Sequence, residues 1–361
     1  MTTRQRIDLL AHAYPRYFPR TELLRLLRTQ LGHVDALDTW IQHEGIRVRA
    51  SAPKLIYHIC AGNLAVSAWT SLMHGLLLGA HNVVKLPSER EDSTARREIL
   101  SFIRGLPSSL QKLVETHGTL DTHLLRRADA IIAFGSDATM NNLRAQIRWN
   151  QKFIAHGHAV SLLWISEPER LTSRQARACA VDILTYDQLG CLSPQAIYIS
   201  SNANVEKLGH QLAHALELHW KKIKPKPARP LSVAARITEA RDMAHALGHR
   251  VWLPPNKHLG WTLIHDLDST FQPSPLHGVI YLRQVGESRV SQALASVAGR
   301  ISTVGVAGKA LSSRLEKAFL SLGVSRFCAA GHMQFPPLTW HHDGRPTLSD
   351  LVTWIDSESI Q

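Results

Sequence analysis

The sequence predicts an α/β fold with two doubly wound parallel-sheet domains. Two observations lead to this prediction. From Leu55 onward, short apolar runs typical of buried strands alternate with longer stretches in which apolar residues recur at helical spacing. The chain has 361 residues, which is enough for two domains of ordinary size. Because alternating strands and helices are joined by crossover connections, we expect mostly parallel sheets with helices on both faces.

The composition is that of a globular chain with a core, since hydrophobic residues make up 44% and charged residues 19%. The longest apolar segment, residues 64–80, contains His74 and ends at a Gly-Ala step, which favours a buried helix over a membrane span. The start of the chain has no apolar signal-peptide region. Four cysteines without a CxxC spacing are not a disulfide framework. We therefore expect a protein of the reducing cytoplasm.

The net charge of +12 favours anionic partners, such as phosphates, an acidic carrier protein or nucleic acid. Because the basic residues are dispersed, nucleic acid is the least favoured of these. The densest basic run, residues 221–230, alternates with prolines and is interpreted first as a solvated loop, and second as a patch for a ligand phosphate or an acidic partner. The pair His341-His342 lacks partner ligands at zinc spacing, so no metal site is predicted.

The elements are expected in the following order. Residues 5–50, with leucines at helical spacing, are predicted to form helices of a packing layer. Strands are then predicted at 54–59, 81–85, 130–134, 161–165, 196–199, 250–253, 278–282 and 303–306. Helices are predicted at 64–78, 92–103, 138–148, 173–186 and 205–223.

Cys191 is the cysteine whose surroundings favour reactivity. It follows a glycine after a helical stretch and precedes the strand predicted at 196–199, so we expect it to lie in a turn. Cys60, Cys179 and Cys328 lie in apolar surroundings and are interpreted as core residues. Because a thiolate is disfavoured in an apolar core, Cys191 is the candidate nucleophile.

Residues after three predicted strands are candidates for ligand binding. Asn63 lies between a strand and a helix, where it is a natural N-cap and can also point its amide into the cleft at the carboxyl end of the strand. Lys85 ends the next strand and is followed by Leu-Pro-Ser88, which is typical of an anion site but also of an ordinary surface lysine. Gly135-Ser136 has the same strand–turn–helix pattern, which is a weak signal by itself.

These segments together resemble the aldehyde dehydrogenase superfamily. The stretch from Ile59-Cys-Ala-Gly-Asn63 to Asn82-Val-Val-Lys85-Leu-Pro-Ser88 resembles its oxyanion-Asn helix and cofactor strand. Asp187-Gln-Leu-Gly-Cys191-Leu-Ser-Pro-Gln195 resembles its nucleophile loop. This loop and the tail from Gly331, with Trp340-His-His-Asp343-Gly-Arg345, are more specifically similar to the long-chain acyl-CoA reductases of the bacterial bioluminescence type.

The resemblance implies an aldehyde dehydrogenase-like fold and the NAD(P)H-dependent reduction of an activated acyl group, an acyl-CoA or acyl-protein thioester, to the aldehyde. Cys191 would carry the acyl group, and Asn63 with the Cys191 backbone N–H would hold the oxyanion. NADPH is the expected cofactor, with NADH as an alternative. The residues that would bind it are Lys85, Ser88, Gly135 and Ser136.

The pattern of elements places a domain boundary near residue 160 and a tail from about residue 335, and the resemblance assigns a role to each part. Residues 1–160 would contain the N-terminal helices and the nucleotide-cofactor domain, and residues 161–335 the catalytic domain. Residues 336–361 would be a tail that packs back or bridges subunits. The expected partners are acyl-CoA or an acyl carrier or acyl-transferase protein, and a homo-oligomer is expected.

Three departures from the family pattern affect the predicted activity. Hydrolytic members carry a glutamate base where Ile154 aligns here, which favours a reductase over an aldehyde dehydrogenase that acts toward the acid. The acidic ribose clamp of many members is absent at Ser88, with Glu89 and Arg90 following. The chain also begins later than its relatives, so part of a substrate-shaping layer is expected to be missing. The remaining alternative is a degenerate dehydrogenase fold that serves as a basic binding protein.

Overall fold

The computed structural model describes residues 1–88, 94–200, 202–224, 226 and 228–358. In these residues the strands are β1 (Ile41–His43), β2 (Ile46–Ser51), β3 (Leu55–Ile59), β4 (His81–Lys85), β5 (Val114–His117), β6 (Ala130–Phe134), β7 (Lys152–His156), β8 (Val160–Ile165), β9 (Pro194–Ile199), β10 (Arg250–Trp252), β11 (Thr262–Asp266), β12 (Val279–Gln284), β13 (Ile301–Ala307), β14 (Arg326–Ala329) and β15 (Thr353–Ser357). The helices are α1 (Thr3–Ala13), α2 (Arg20–Leu31), α3 (Ala65–Leu78), α4 (Thr94–Gly105), α5 (Ser108–Gln111), α6 (Thr122–Arg127), α7 (Asp137–Arg144), α8 (Ser173–Leu184), α9 (Val205–Lys222), α10 (Leu231–Ala246), α11 (Val290–Ala293) and α12 (Ser313–Ser321). The chain divides into two compact units: residues 1–158 with the tail from Pro337, and Ala159–Pro336.

A five-stranded sheet lies at the centre of the first unit, in the order β5-β4-β3-β6-β7. All of its pairings are parallel. Successive residues of a strand point to opposite faces, and here both faces are buried. Ile56 packs against α3 residues such as Leu72, whereas Tyr57 packs against Leu125 of α6 and Leu143 of α7. The sheet is therefore covered by helices on both faces, as predicted.

Helix α3 connects β3 to β4 and is apolar on nearly every face, so most of its length is buried. It ends at Gly79, whose φ of 75° is the left-handed conformation that glycine adopts easily at the end of a helix. Gly75 has no room for a side chain, because a Cβ there would lie 1.8 Å from Asn82 Oδ1. His58 Nε2 lies 2.9 Å from the same oxygen, so a buried polar contact links β3 and β4 beside the helix.

The N-terminal region differs from its prediction. Helices α1 and α2 form, but residues 41–50, expected to be helical, lie in the hairpin of β1 and β2, which belongs to an antiparallel sheet in the order β1-β2-β15. Glu44 and Gly45 both have positive φ, 47° and 89°, which produces the tight turn of a hairpin. Ile46-Arg-Val-Arg-Ala50 alternates apolar and basic residues, which is the period of a strand, and the helical leucines of this region end at Leu31.

The second unit contains a seven-stranded sheet in the order β10-β11-β12-β9-β8-β13-β14. Its pairings are parallel except that β10 runs antiparallel to β11. The neighbouring residues Leu163 and Trp164 of β8 belong to two different apolar clusters, one on each face of the sheet. This unit is therefore also doubly wound. None of the described helices combines the length and apolar character needed to cross a membrane.

Helix α9 corrects the interpretation of the basic run. The helix continues to Lys222, so the first two lysines of the run are helical and not part of an extended loop. The apolar spacing explains this, because Leu212, Leu216 and Trp220 recur every four residues and are buried. The prolines at 225 and 227 lie outside the described residues.

Candidate active site

Cys191 lies in a β-turn between α8 and β9. The turn spans Gly190 to Ser193, and the Ser193 N–H donates to the Gly190 carbonyl at 3.0 Å. The Ser161 hydroxyl, at the start of β8, donates to the Cys191 carbonyl oxygen at 2.7 Å. Cys191 is half-buried, whereas Leu192 and the strand that follows are buried. The thiol therefore lies at the edge of the core and not within it.

The backbone just before this turn is strained. Tyr186, Asp187 and Gln188 have φ values of 55°, 53° and 62°. This left-handed conformation costs about 1–2 kcal/mol for each residue with a side chain. The fully buried amide of Gln188 stabilises it, because Nε2 donates to the Pro194 carbonyl at 2.8 Å and Oε1 accepts from the Gly278 N–H at 2.9 Å. The surrounding structure thus imposes a backbone that the sequence does not favour locally.

The other three cysteines are poor nucleophiles. Burial raises the pKa of Cys60 to about 12, that of Cys179 to about 12 and that of Cys328 to about 11. Thiols with such pKa values stay protonated at neutral pH. All four cysteines are described, and none of them forms a disulfide. Cys191 thus remains the candidate nucleophile.

Asn63 lies in the exposed segment between β3 and α3 of the first unit. The helix begins at Ala65, and Leu64 occupies the N-cap position without a side-chain cap hydrogen bond. The interpretation of Asn63 as the N-cap residue is therefore wrong by one position. Its role as an oxyanion donor stays a prediction.

Lys85 is the last residue of β4 and is half-buried. Its carbonyl accepts from the Cys60 N–H at 3.1 Å, which joins the ends of β4 and β3. The segment after β4 stays close to the segment after β3, since a Cβ on Gly62 would lie 3.6 Å from the Cβ of Pro87. Ser88, the next residue, is exposed.

Gly135 and Ser136 form the turn between β6 and α7. Ser136 is the N-cap residue of α7 and accepts from the Thr139 N–H at 3.2 Å. The Gly135 N–H donates to the His156 carbonyl at 3.2 Å, which joins this turn to the end of β7. Because the strands are parallel, all the candidate residues of the first unit lie at the carboxyl edge of one sheet, where α/β proteins bind ligands.

A stack of four rings lies at the ends of β6 and β7. Phe134 stacks on His156 with ring centroids 4.6 Å apart, His156 on His342 at 4.0 Å, and His342 on Trp340 at 4.5 Å. His156 Nδ1 also lies 2.8 Å from Asp343 Oδ2, a pair separated by 187 residues in the chain. The tail motif is visible in the sequence, but this contact is not, because no local pattern indicates a partner so far away.

His156, His342 and Asp343 also place one potential metal-ligating atom each within 4.8 Å of one another. With metal–nitrogen bonds of about 2.0–2.1 Å, two imidazoles on one ion would have ring centroids at least about 4.5 Å apart, even at a right angle. The two rings here are stacked at 4.0 Å with an interplanar angle of 27°. This geometry is that of a ring stack and does not direct both nitrogens at one ion.

Three histidines of the first unit have strongly lowered pKa values. Burial lowers the pKa of His58 to about 4, although its hydrogen bond to Asn82 opposes the shift. Burial, reinforced by neighbouring histidines, lowers the pKa of His74 to about 3. Burial also lowers the pKa of His342 to about 4. These imidazoles are neutral in the folded protein at neutral pH.

Ile154, which the sequence predicts to replace the glutamate base of hydrolytic relatives, lies in the middle of β7. It is 2% exposed and belongs to the apolar cluster on the α3 face of the sheet. His156 is two residues further along the strand and therefore points to the same face.

The fold is that of the aldehyde dehydrogenases. The structure is similar to that of the indole-3-acetaldehyde dehydrogenase AldA of P. syringae, solved in complex with NAD+ and IAA, with a TM-score of 0.69 and 13% identity over 99% of this chain and 84% of that one. It is also similar to the glyceraldehyde-3-phosphate dehydrogenase of Methanocaldococcus jannaschii, solved with NADP, with a TM-score of 0.66 and 12% identity over 98% of this chain and 85% of that one. This likeness confirms the predicted fold class.

Residues 2–354 match the family described as acyl-CoA reductase (LuxC), and the chain belongs to this family. Similar relatives are the long-chain acyl-protein thioester reductases of Aliivibrio fischeri and Vibrio harveyi, which are 24% and 25% identical over 355 residues. Each alignment covers 94% of this chain and 71% of the relative. The predicted resemblance is thereby confirmed, and with it the class of activity, an oxidoreductase that reduces an acyl group to an aldehyde.

Proposed function

We propose that this protein reduces an acyl thioester to the aldehyde through an acyl group carried on Cys191, with a reduced nicotinamide nucleotide as hydride donor. The observation that carries the proposal is the turn at Gly190–Ser193, which keeps Cys191 at the edge of the core while burial keeps the other three thiols protonated. The description of the family names acyl-CoA as the substrate, and the names of the relatives give an acyl-protein thioester. Both donors are thioesters and undergo the same chemistry at the carbonyl carbon.

The residues of the chain would act in two stages. The Cys191 thiolate adds to the carbonyl carbon, and the Asn63 amide and the Cys191 backbone N–H donate to the oxyanion. The bond to the donor sulfur then breaks, the donor leaves as a thiol after taking up a proton, and the acyl group stays on Cys191. When bound, the reduced nicotinamide supplies a hydride to the acyl carbon. The second oxyanion, held by the same donors, collapses to release the aldehyde and regenerate the Cys191 thiolate.

The proposed cofactor residues are Lys85, Ser88, Gly135 and Ser136. Two observations support their fit to a nucleotide. They lie at the carboxyl edge of a parallel sheet, and Ser136 begins a helix whose amino end favours a phosphate.

A preference for NADPH over NADH is part of the proposal. Ser88 stands where a carboxylate would repel a 2′-phosphate. Arg96 supports the preference, because its Nη1 donates to the Pro87 carbonyl at 2.9 Å and so brings a guanidinium to this segment. Arg90, which the sequence also indicates, lies outside the described residues.

The surroundings of Ile154 favour reduction over hydrolysis. A buried isoleucine cannot activate water, whereas a positioned general base accelerates such a step by about 10²–10⁴-fold. An acyl group on Cys191 would therefore persist until a hydride is available. The acyl-carrying partner protein, the homo-oligomer and the cytoplasmic location stay predictions.

The proposal is tested with a panel of acyl-CoA thioesters and an acylated carrier protein, each offered with NADPH or NADH. Trapped aldehyde and oxidised nicotinamide should form in equal amounts. Cys191→Ala should abolish both, whereas Cys328→Ala, a matched change at another half-buried cysteine, should retain them. Absence of aldehyde with every donor, or full activity of Cys191→Ala, would contradict the proposal.

A further inference from the structure

Two left-handed backbone segments meet beside the Cys191 turn. The first is Tyr186–Gln188, and the second, just before β12, comprises Leu276, His277 and Gly278 with φ values of 66°, 56° and 84°. The Gly278 N–H donates to the Gln188 side chain at 2.9 Å, and His277 Nδ1 lies 2.5 Å from Asp187 Oδ2. Because residues with side chains seldom adopt this conformation in succession, contacts between the segments must maintain it.

The Asp187 carboxylate is the centre of these contacts. Arg229, the last basic residue of the run that precedes α10, donates to Asp187 Oδ2 through Nη1 and to the His277 carbonyl through Nη2 at 3.4 Å. The side chains of Asp187, Arg229 and His277 are only 17%, 12% and 11% exposed. Burial tends to raise the pKa of Asp187, but the hydrogen bonds from His277 and Arg229 outweigh it, so the pKa lies below its usual value. The carboxylate is thus ionised and poorly screened by solvent.

The left-handed segment leads directly into the turn that contains Cys191. The Leu189 N–H donates to the Tyr186 carbonyl at 3.0 Å, and Gly190 then begins the turn. If Asp187 returned to a common backbone conformation, the direction of the chain into the turn would change. A misplacement of about 1 Å in reacting groups can slow a reaction by about 10²-fold.

We propose that Asp187, held by Arg229 and His277, is a positioning residue that fixes the Cys191 turn for acyl transfer. The inference rests on the proposed function, because it takes Cys191 as the acyl carrier. It also gives Arg229 a role that neither the loop interpretation nor the phosphate interpretation of the basic run assigned.

The second unit provides a matched control. Asp266, at the end of β11, is bound by Arg283 Nη2 at 2.7 Å and lies 3.7 Å from His249 Nε2. This is the same combination of aspartate, arginine and histidine, and Asp266 is 12% exposed. Asp187→Asn and Asp266→Asn are therefore comparable losses of a buried charge.

The experiment compares both variants with the native full-length protein. It measures single-turnover acylation of Cys191 by an acyl-CoA, hydrogen exchange of the peptide 185–193 and the midpoint of thermal unfolding. Both variants should lower the midpoint. Only Asp187→Asn should speed exchange of the peptide and slow acylation by about 10–10²-fold. Arg229→Gln should have the same effects as Asp187→Asn. The double variant should be little worse than either single variant, because both substitutions remove the same interaction.

The outcomes separate the two proposals. Acylation of Asp187→Asn at the same rate as Asp266→Asn, in a native protein that is acylated on Cys191, overturns the positioning role alone. A native protein that no thioester acylates on Cys191 overturns the proposed function and the positioning role with it. If Asp187→Asn does not fold, Arg229→Gln decides the question by the same readouts.

Discussion

Lowering the pH from 7 to 5 should destabilise the first unit strongly. His58 and His74 are buried in that unit, with pKa values lowered to about 4 and about 3. A histidine whose pKa is lowered by folding stabilises the fold above its unfolded pKa of about 6.5, and this stability is lost as the pH falls toward the folded pKa. The unfolded chain binds protons at pH 5, whereas the two buried imidazoles stay neutral.

The magnitude follows from the linkage between protonation and folding. Between pH 7 and pH 5 each of these histidines should remove about 2 kcal/mol of stability, or about 4 kcal/mol together. This loss of stability depends little on the pKa of the histidine in the folded protein, as long as that pKa lies well below 5. Since a whole domain is stable by only about 5–15 kcal/mol, the effect should be large. The lowered pKa of His342 acts in the same direction.

One group of the second unit, Asp182, should respond in the opposite direction. Asp182 is buried there, and burial raises its pKa to about 6 although its oxygens accept from the N–H groups of Gly331 and Met333. A carboxyl group whose pKa is raised by folding stabilises the fold when it is protonated. This stability is lost as the pH rises from the unfolded pKa of about 4 to the folded pKa of about 6. Acidification from pH 7 to pH 5 should therefore add about 1 kcal/mol through Asp182.

The assay is urea denaturation at pH 7, 6 and 5, with hydrogen exchange of peptides from β3 and β9 to assign the loss to a unit. His58→Gln and His74→Gln should each reduce the pH dependence of the first unit, because glutamine does not titrate. His12→Gln, at an exposed histidine of α1, should leave it unchanged. A free energy of unfolding that is flat between pH 7 and pH 5 in the first unit would refute the reasoning.

Three further substitutions test the account. Asn63→Ala should lower kcat by about 10²–10³-fold, the usual effect of losing an oxyanion donor. A loss of stability with an unchanged kcat would contradict this role. Gly75→Ala should lower the free energy of unfolding by about 1–3 kcal/mol in equilibrium denaturation, because the added Cβ would collide with Asn82. An unchanged midpoint would show that Asn82 moves away without cost. Ile154→Glu should speed the hydrolysis of a radiolabelled acyl-enzyme in the absence of cofactor and reduce the aldehyde yield. It should also destabilise the apolar cluster around residue 154. If the acyl-enzyme of the native protein is hydrolysed as fast as it is reduced, another residue acts as the base.

The sequence predicted the strands whose apolar runs are buried on both faces, such as β4 and β6, with the bounds that the structure shows. It missed strands whose own residues are partly polar or exposed. Val114–His117 is such a strand, and it forms because its backbone pairs with β4 at the edge of the sheet. Thr353–Ser357 pairs with β2, and that pairing depends on tertiary contacts.

The candidate site shows the same limit. A glycine before Cys191 indicated a turn, and the structure places the residue in one. Tyr186-Asp-Gln188 gave little indication of a left-handed backbone, because only Asp187 is of a residue type that occasionally adopts it. The contact of His156 with Asp343 was equally invisible, since it joins residues 187 positions apart. Local patterns predict elements, whereas partners distant in sequence emerge only from the folded chain.

The central claim is that the acyl group passes through Cys191, and peptide mapping by mass spectrometry tests it most directly. The protein is incubated with an acyl thioester in the absence of a nicotinamide nucleotide, digested and mapped. We expect the acyl mass on the peptide that contains Cys191, and its disappearance on addition of NADPH as an equal amount of aldehyde forms. An acyl group on Cys60, Cys179 or Cys328, or aldehyde formation without any acylated cysteine, would contradict the account.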